Sequence, residues 1–308
     1  MNLALDESQI MLRDTLRRLA SEGLKQTLPL AFDADSWDGD CQQLRDLGIF
    51  GLTTPADQGG AGLGDLEACI AVEEIARHSP ELALVLTLRL AASVPATENE
   101  GDPTPMPLQL ASGAILADLS KAQGPTLCYH RFHGGRWTTE RTDDASWTKP
   151  ELGFFHIRIA DLAPRSEDGL GVQHRPRLAL YLGALALGLA HRALQEGLKY
   201  SGDRQQFGQP INQFQAIRFK LSEMAARVSA DRWSLWLHAA ETAETTSPIP
   251  SLQPAELLDR LLRTATRVTD EALQIHGGYG YTLEYPVSHL FAASRQLQQW
   301  TRPQGLLS

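Results

Sequence analysis

Apolar and polar positions along the chain fall into three stretches with different periods. In the first, Ile10, Leu12, Leu16 and Leu19 recur near helical spacing and the pattern stops around Gly23, which predicts an amphipathic helix. A short helix is expected from Asp38 to Leu47, ended by Gly48, before a loop from Gly51 to Gly64 that holds five glycines and a proline. Asp65 is placed to cap the next helix, which carries Leu66, Cys69, Ile70, Val72, Glu73, Glu74 and Ile75. Pro80 punctuates it, and a further apolar helix spans Glu81 to Ala92. The pair Glu73–Glu74 reads as a solvated or interface face of its helix rather than a carboxylate dyad.

From Pro95 to His174 the texture changes. Pro95, Pro103, Pro105 and Pro107 cluster with acids in a linker, and Thr126–His130, Trp137–Glu140 and Phe154–Ile159 show the alternation of strands. Long helices then return. Leu178 to Tyr200 is apolar nearly all round in its first half, as a buried helix must be, although Gly183 and Gly188 fall within it. Phe214, Leu221, Val228 and Leu235 repeat every seven residues with Ile217 and Met224 interleaved, a stripe for packing in a bundle. Pro248 and Pro250 mark a turn, and Leu258, Leu261, Leu262, Ala265, Val268, Ala272 and Ile275 form another inward stripe. The expected architecture is mainly α with a small β module: a helical domain over 1–94, a short β domain over 95–174 and a helical domain over 175–308.

Composition narrows the function classes. The chain of 308 residues carries a formal charge of −9, which repels phosphate backbones and anionic lipid, so neither nucleic acid nor a membrane surface is an expected partner. No apolar run reaches the roughly 18 residues of a membrane span, and Met1 to Ile10 lacks the form of a signal peptide. Three scattered cysteines, Cys41, Cys69 and Cys128, point to reducing surroundings and to neither a disulfide framework nor a metal site. The expectation is a cytoplasmic protein.

Two segments carry chemistry. In Tyr200-Ser-Gly-Asp-Arg-Gln-Gln-Phe-Gly-Gln-Pro-Ile-Asn-Gln-Phe-Gln215, Arg204, Phe207 and a glycine turn precede a helix start. Free backbone amides there, with a bidentate cation, suit a diphosphate. A plain ion pair between Arg204 and Asp203 is the alternative. In Ala272-Leu-Gln-Ile-His-Gly-Gly-Tyr-Gly-Tyr281, adjacent glycines allow close backbone approach and Gln274 can bond a ligand. The same pattern also fits a simple helix cap, and His276 reads as structural rather than catalytic.

Together and in this order, the two segments resemble the C-terminal domain of the acyl-CoA dehydrogenase family of flavoenzymes. Gly51-Leu-Thr-Thr-Pro55, Gly59-Gly-Ala-Gly62 and Val72-Glu-Glu-Ile75 are similar to that family's N-terminal helical domain, and Gly188 to Tyr200 extends the likeness. The resemblance implies an N-terminal helical domain, a middle β domain and a C-terminal four-helix bundle, with FAD as cofactor and an acyl-CoA as substrate. The His276-to-Tyr285 segment resembles bacterial members, some of which act on steroid side chains. In the family a glutamate takes the α-proton while hydride passes from the β-carbon to the flavin.

Carried over residue by residue, the commonest base position falls on Thr301 and an alternative one on Leu178, so no catalytic base is expected here. A neighbouring arginine that helps hold CoA falls on Ala179. The Thr-Glu-Pro segment that cradles the flavin has no counterpart, and Trp137-Thr-Thr is a faint echo of a second cradle segment. What one subunit of the family donates to its neighbour's FAD is kept, at Arg204, Phe207, Gln215, Gln274 and Gly278.

The resemblance therefore implies a non-catalytic subunit. It would pair, as α2β2, with a glutamate-bearing subunit that binds the acyl-CoA, and FAD would be shared at the interface. An autonomous flavoenzyme with a relocated base, an oxygenase-like activity and a cofactor-free scaffold are the alternatives.

Overall fold

The computed structural model describes residues 5–24, 34–92, 108–109, 114–118, 127–133, 136–142, 146–152, 157–161, 175–241 and 252–301. Helix α1 (Glu7–Arg18) opens with Asp6, whose carboxylate accepts from the Gln9 amide at 2.8 Å while Gln9 accepts in return from the Asp6 amide at 3.0 Å. It ends in a π turn over Leu19–Gly23. Helix α2 (Ala34–Asp46) begins four residues before the position expected from the sequence. The glycine loop folds back on itself through amide bonds from Gly60 to Pro55, from Gly62 to Thr54 and from Leu63 to Leu52.

Helix α3 (Asp65–Ala76) starts differently from the expectation. Gly64 is the capping residue, and its amide is taken by the Glu67 carboxylate at 3.0 Å. The Asp65 carboxylate instead accepts from the Tyr181 hydroxyl at 2.5 Å and pairs with Arg177 at 3.0 Å. Helix α4 (Pro80–Ala92) returns alongside.

Glu73 and Glu74 are the second departure, because both are buried. Glu73 pairs with Arg232 and lies 3.5 Å from His191, and Glu74 bridges Arg17 at 2.9 Å and Arg77 at 2.8 Å. The face is an ion-pair junction between four helices. Burial works against the Glu73 carboxylate, yet His191 and Arg232 together hold its pKa below the ordinary value.

The middle region forms a six-stranded sheet in the order β4-β3-β1-β2-β6-β5, from β1 (Leu108–Gln109), β2 (Ala114–Asp118), β3 (Leu127–His133), β4 (Arg136–Thr142), β5 (Ser146–Leu152) and β6 (Ile157–Asp161). Trp137 lies on β4 opposite Phe132 of β3, in an antiparallel hairpin at one edge of the sheet. The prolines at 95, 103, 105 and 107, and those at 248 and 250, lie outside the described residues.

Helix α5 (Arg175–Asp203) runs through the centre. It packs against α3 and α4 and against α6 (Gln215–Glu241), α7 (Pro254–His276) and α8 (Pro286–Thr301), with which it makes the four-helix bundle. Most of the two stripes read from the sequence faces inward: Leu221, Met224, Val228 and Leu235 on α6, and Leu258, Leu261, Leu262, Ala265, Val268, Ala272 and Ile275 on α7, are buried, whereas Ile217 is only half-buried and Phe214 lies half-buried just before α6. Gly188 shows why glycine stands in so apolar a helix. A β-carbon there would lie 2.6 Å from both the Ala76 β-carbon and the Glu73 carbonyl oxygen, so α3 and α5 touch backbone to backbone.

By length and composition alone α5 could pass as a membrane span over Pro176–Asp203, a weak signal that the core helix of a globular fold also gives. The fold buries 83% of its most apolar window, as a core helix does. The buried apolar residues of 5–92 and 175–301 form a single cluster.

Candidate functional site

Two connections at the same end of the bundle meet to form a cleft. The first follows α5, where the Arg204 amide bonds the Tyr200 carbonyl at 2.8 Å and the chain turns through a two-residue hairpin, β7 (Gln205–Gln206) and β8 (Gln209–Pro210). Its tip is Phe207 at φ +51° followed by Gly208 at φ +81°. A left-handed phenylalanine is strained, and this residue is 93% exposed, so burial among the described residues does not account for it. It meets Phe214 edge-on with ring centroids 6.2 Å apart.

The second connection follows α7. Gly277 takes φ +59° and ψ −138°, a conformation only glycine adopts readily, and starts a tight turn over Gly277–Tyr281. A β-carbon on Gly278 would meet nothing within 4 Å, so this backbone faces open space.

The cleft between them has a volume of about 510 Å³. Tyr200, Arg204, Gln206 and Ile211 line one side, and His276, Gly277, Gly278, Tyr279 and Thr282 the other. Arg204 is exposed and forms no ion pair among the described residues, so the expected alternative, a bridge to Asp203, is not present. Its guanidinium lies over the Tyr279 ring, 5.5 Å from the centroid.

Of the residues singled out from the sequence, Arg204 and Gly278 share this cleft, whereas Phe207, Gln215 and Gln274 are exposed nearby without lining it. Amides at the start of α6 are partly spent: those of Phe214 and Ile217 bond Ile211 and Phe214 carbonyls. Tyr200, Gln206 and Tyr279 were within the two motifs but carried no separate signal. Gln206 and Tyr279 are ordinary turn residues until the chain folds and brings the motifs together.

His276 behaves as expected for a structural residue. It is buried, and its Nδ1 lies 2.8 Å from the Ala272 carbonyl oxygen. Burial lowers its pKa, against a smaller opposite pull from that backbone bond.

The positions where a base was sought are closed. Thr301 is fully buried on α8, its hydroxyl donating to the Gln298 carbonyl at 3.1 Å. Leu178 and Ala179 are buried in the first turns of α5. The carboxylate beside them, Asp65, is engaged by Tyr181 and Arg177.

Comparison with known proteins agrees with this layout. Residues 6–103 match the model of the acyl-CoA dehydrogenase N-terminal domain and residues 176–301 that of the acyl-CoA dehydrogenase C-terminal domain. The chain is 26% identical to benzylmalonyl-CoA dehydrogenase of Aromatoleum aromaticum over 351 positions, covering 93% of this chain and 92% of that one. It is also 26% identical to acyl-CoA dehydrogenase IpdE2 of Mycolicibacterium smegmatis over 320 positions, covering 97% and 96%. The first alignment is longer than the chain's own 308 residues, so that relative carries segments this chain lacks. Among solved structures, butyryl-CoA dehydrogenase from Megasphaera elsdenii shares the fold, with a TM-score of 0.71 at 22% identity, covering 99% of this chain and 97% of that one.

Proposed function

Since the chain belongs to the acyl-CoA dehydrogenase family of oxidoreductases, we propose that it is the non-catalytic subunit of a heteromeric, FAD-dependent acyl-CoA dehydrogenase. One observation carries the reading: the cleft offers at Arg204 a guanidinium with no ion pair among the described residues and open glycine backbone at Gly278, while Thr301 and Leu178 can take no proton. The residues present fit the diphosphate and adenosine end of FAD. Arg204 supplies a bidentate cation to the phosphates, and Gly278 lets its backbone come close. Phe207 packs on the partner, while Gln215 and Gln274 add polar contacts at the rim. Bound FAD supplies the hydride acceptor for α,β-desaturation of an acyl-CoA thioester.

The base, the flavin-ring pocket and most of the acyl-CoA contacts belong to a glutamate-bearing partner, in an α2β2 assembly placed in the cytoplasm. The 95–174 region is then a reduced β domain. Steroid side-chain thioesters are the first substrates to try, because of the His276-to-Tyr285 likeness.

Flavin content tests the reading, from visible absorbance of the chain purified alone and co-expressed with a glutamate-bearing subunit. The expected result is a colourless chain alone and one FAD per heterodimer. Stoichiometric FAD in the chain alone overturns it in favour of an autonomous flavoenzyme. A stable complex without FAD leaves the scaffold alternative.

A further inference from the structure

Where α3, α5 and α6 meet, one ring nitrogen faces two groups of opposite hydrogen-bond polarity. Nδ1 of His191, on α5, touches Nη2 of Arg232 on α6 and lies 3.5 Å from Oε1 of Glu73 on α3. The same carboxylate oxygen accepts from Nε of Arg232 at 2.9 Å and also from Nη2. A guanidinium only donates and a carboxylate only accepts, so one nitrogen cannot serve both at once. In the neutral ring the nearer partner decides: Nδ1 accepts from Arg232, and the hydrogen sits on Nε2. Protonation reverses this polarity. Nδ1 then carries a hydrogen that suits Glu73 and opposes Arg232.

The charged groups that act on His191 are Glu73 and Arg77 from α3 and Arg232 from α6. The next carboxylate, Glu74, is already bridged by Arg17 and Arg77, so a second cation at the junction must compete for Glu73. Burial, most of all, keeps the imidazole pKa below 6.5, opposed by the Glu73 bond and helped by Arg77 and Arg232. The neutral ring therefore suits the closed junction, and a proton works against it as pH falls below 6.5. Arg232 has a second resting place. Its guanidinium lies 5.8 Å from the centre of the Trp236 ring, which meets Trp233 edge-on at 5.5 Å, and Trp233 is exposed on α6. We propose that His191 is the acid-sensitive part of a clasp between α3 and α6: protonated at Nδ1, it takes Glu73 for itself and passes Arg232 to the tryptophan pair. The apolar core still holds the two helices, so acid loosens α6 against α3 without unfolding either. The device needs no bound ligand.

The test follows the full chain from pH 8 to pH 5 by nitrogen NMR of labelled imidazoles, tryptophan emission and circular dichroism. At pH 8 the hydrogen of His191 should sit on Nε2, and its titration midpoint should fall below 6.5. Tryptophan emission should change with that same midpoint while the helical signal stays constant. His191→Gln keeps an acceptor for Arg232 but takes no proton, and should leave the emission flat at that midpoint. Arg232→Gln removes the opposing cation and leaves Glu73 to the imidazole, so the His191 midpoint should rise above 6.5. Should either variant fail to fold, the wild-type measurements still decide. A hydrogen on Nδ1 at pH 8, or emission that does not follow the His191 titration, overturns the inference. So does an emission change that persists in His191→Gln, or a helical signal lost at the same midpoint, since then the whole fold opens and not the clasp.

Discussion

The Arg204 guanidinium rests on the face of Tyr279, 5.5 Å from the ring centroid, and so joins the hairpin after α5 to the glycine turn after α7. An exposed cation–π contact contributes only about 0.5–1 kcal/mol. A diphosphate, offering charge and bidentate geometry, can draw the guanidinium away from the ring. Arg204→Ala should therefore shift the melting temperature little and remove most flavin from the co-purified complex. Arg204→Lys should keep part of it. Absorbance at the flavin band and thermal denaturation on the same samples separate the two effects.

Phe207 combines a left-handed backbone with 93% exposure. Both features oppose stability in the isolated chain. Phe207→Gly should stabilise the chain alone by about 1 kcal/mol in urea unfolding and weaken its association with the partner subunit in sedimentation. A variant that destabilises the free chain would refute an interface role for this strain.

Glu73 lies in a closed ion-pair junction with Arg232 and His191. Removing one member of a buried pair leaves the other uncompensated, and Glu73→Ala should cost about 3–5 kcal/mol in urea unfolding. Glu223→Ala, which breaks the exposed pair with Arg227 on α6, should hardly move the midpoint. Equal effects would place Glu73 in solvent.

Glu81 gives a pH signature. Full burial raises its carboxyl pKa to about 7, against a small opposing bond from its own backbone. The folded state thus holds a proton that the unfolded state releases near its ordinary value of 4.5. Stability is full below that value and declines as pH rises through the folded pKa. Glu81→Gln, a neutral mimic, should stabilise the protein by about 2–3 kcal/mol at pH 8 and change nothing at pH 4. His78 works in the other direction: burial first, then Arg192 and Arg77, lower its pKa to about 4, so its penalty grows as pH falls below 6.5. Unfolding midpoints across this range should show a maximum in the wild type that moves to higher pH in Glu81→Gln.

Legibility in the sequence followed the range of the interactions. The α6 and α7 stripes were plain because seven-residue spacing alone decides which side chains face inward. Glu73 and Glu74 were misread because their partners lie far along the chain: Arg232 is 159 positions from Glu73, and Arg17 is 57 from Glu74. Asp65 has good local chemistry for a cap, yet Tyr181, 116 residues on, claims its carboxylate. Strand β2, Ala-Ile-Leu-Ala-Asp, lacks alternation, and β5 contains Pro150, so neither announced itself. At the cleft, Arg204 and Gly278 were visible as motif residues. The aromatic packing around His276 was not, since it exists only once Tyr200 and Tyr285 close around the ring.

The close approach of α3 and α5 at Gly188 has a bearing on synthesis. Ten of the twelve residues of α3 are buried, and the helix that covers them, α5, begins only at residue 175. A ribosome adding about 5–20 residues per second leaves α3 and α4 outside the exit tunnel for several seconds before their cover is made. During that interval the nascent helices expose a nearly continuous apolar surface, an obvious target for a holdase chaperone. Truncation before α5 should accordingly yield aggregates instead of a free N-terminal domain, because the first ninety-two residues hold only 22 of the 55 buried apolar residues of a core whose remainder is translated last.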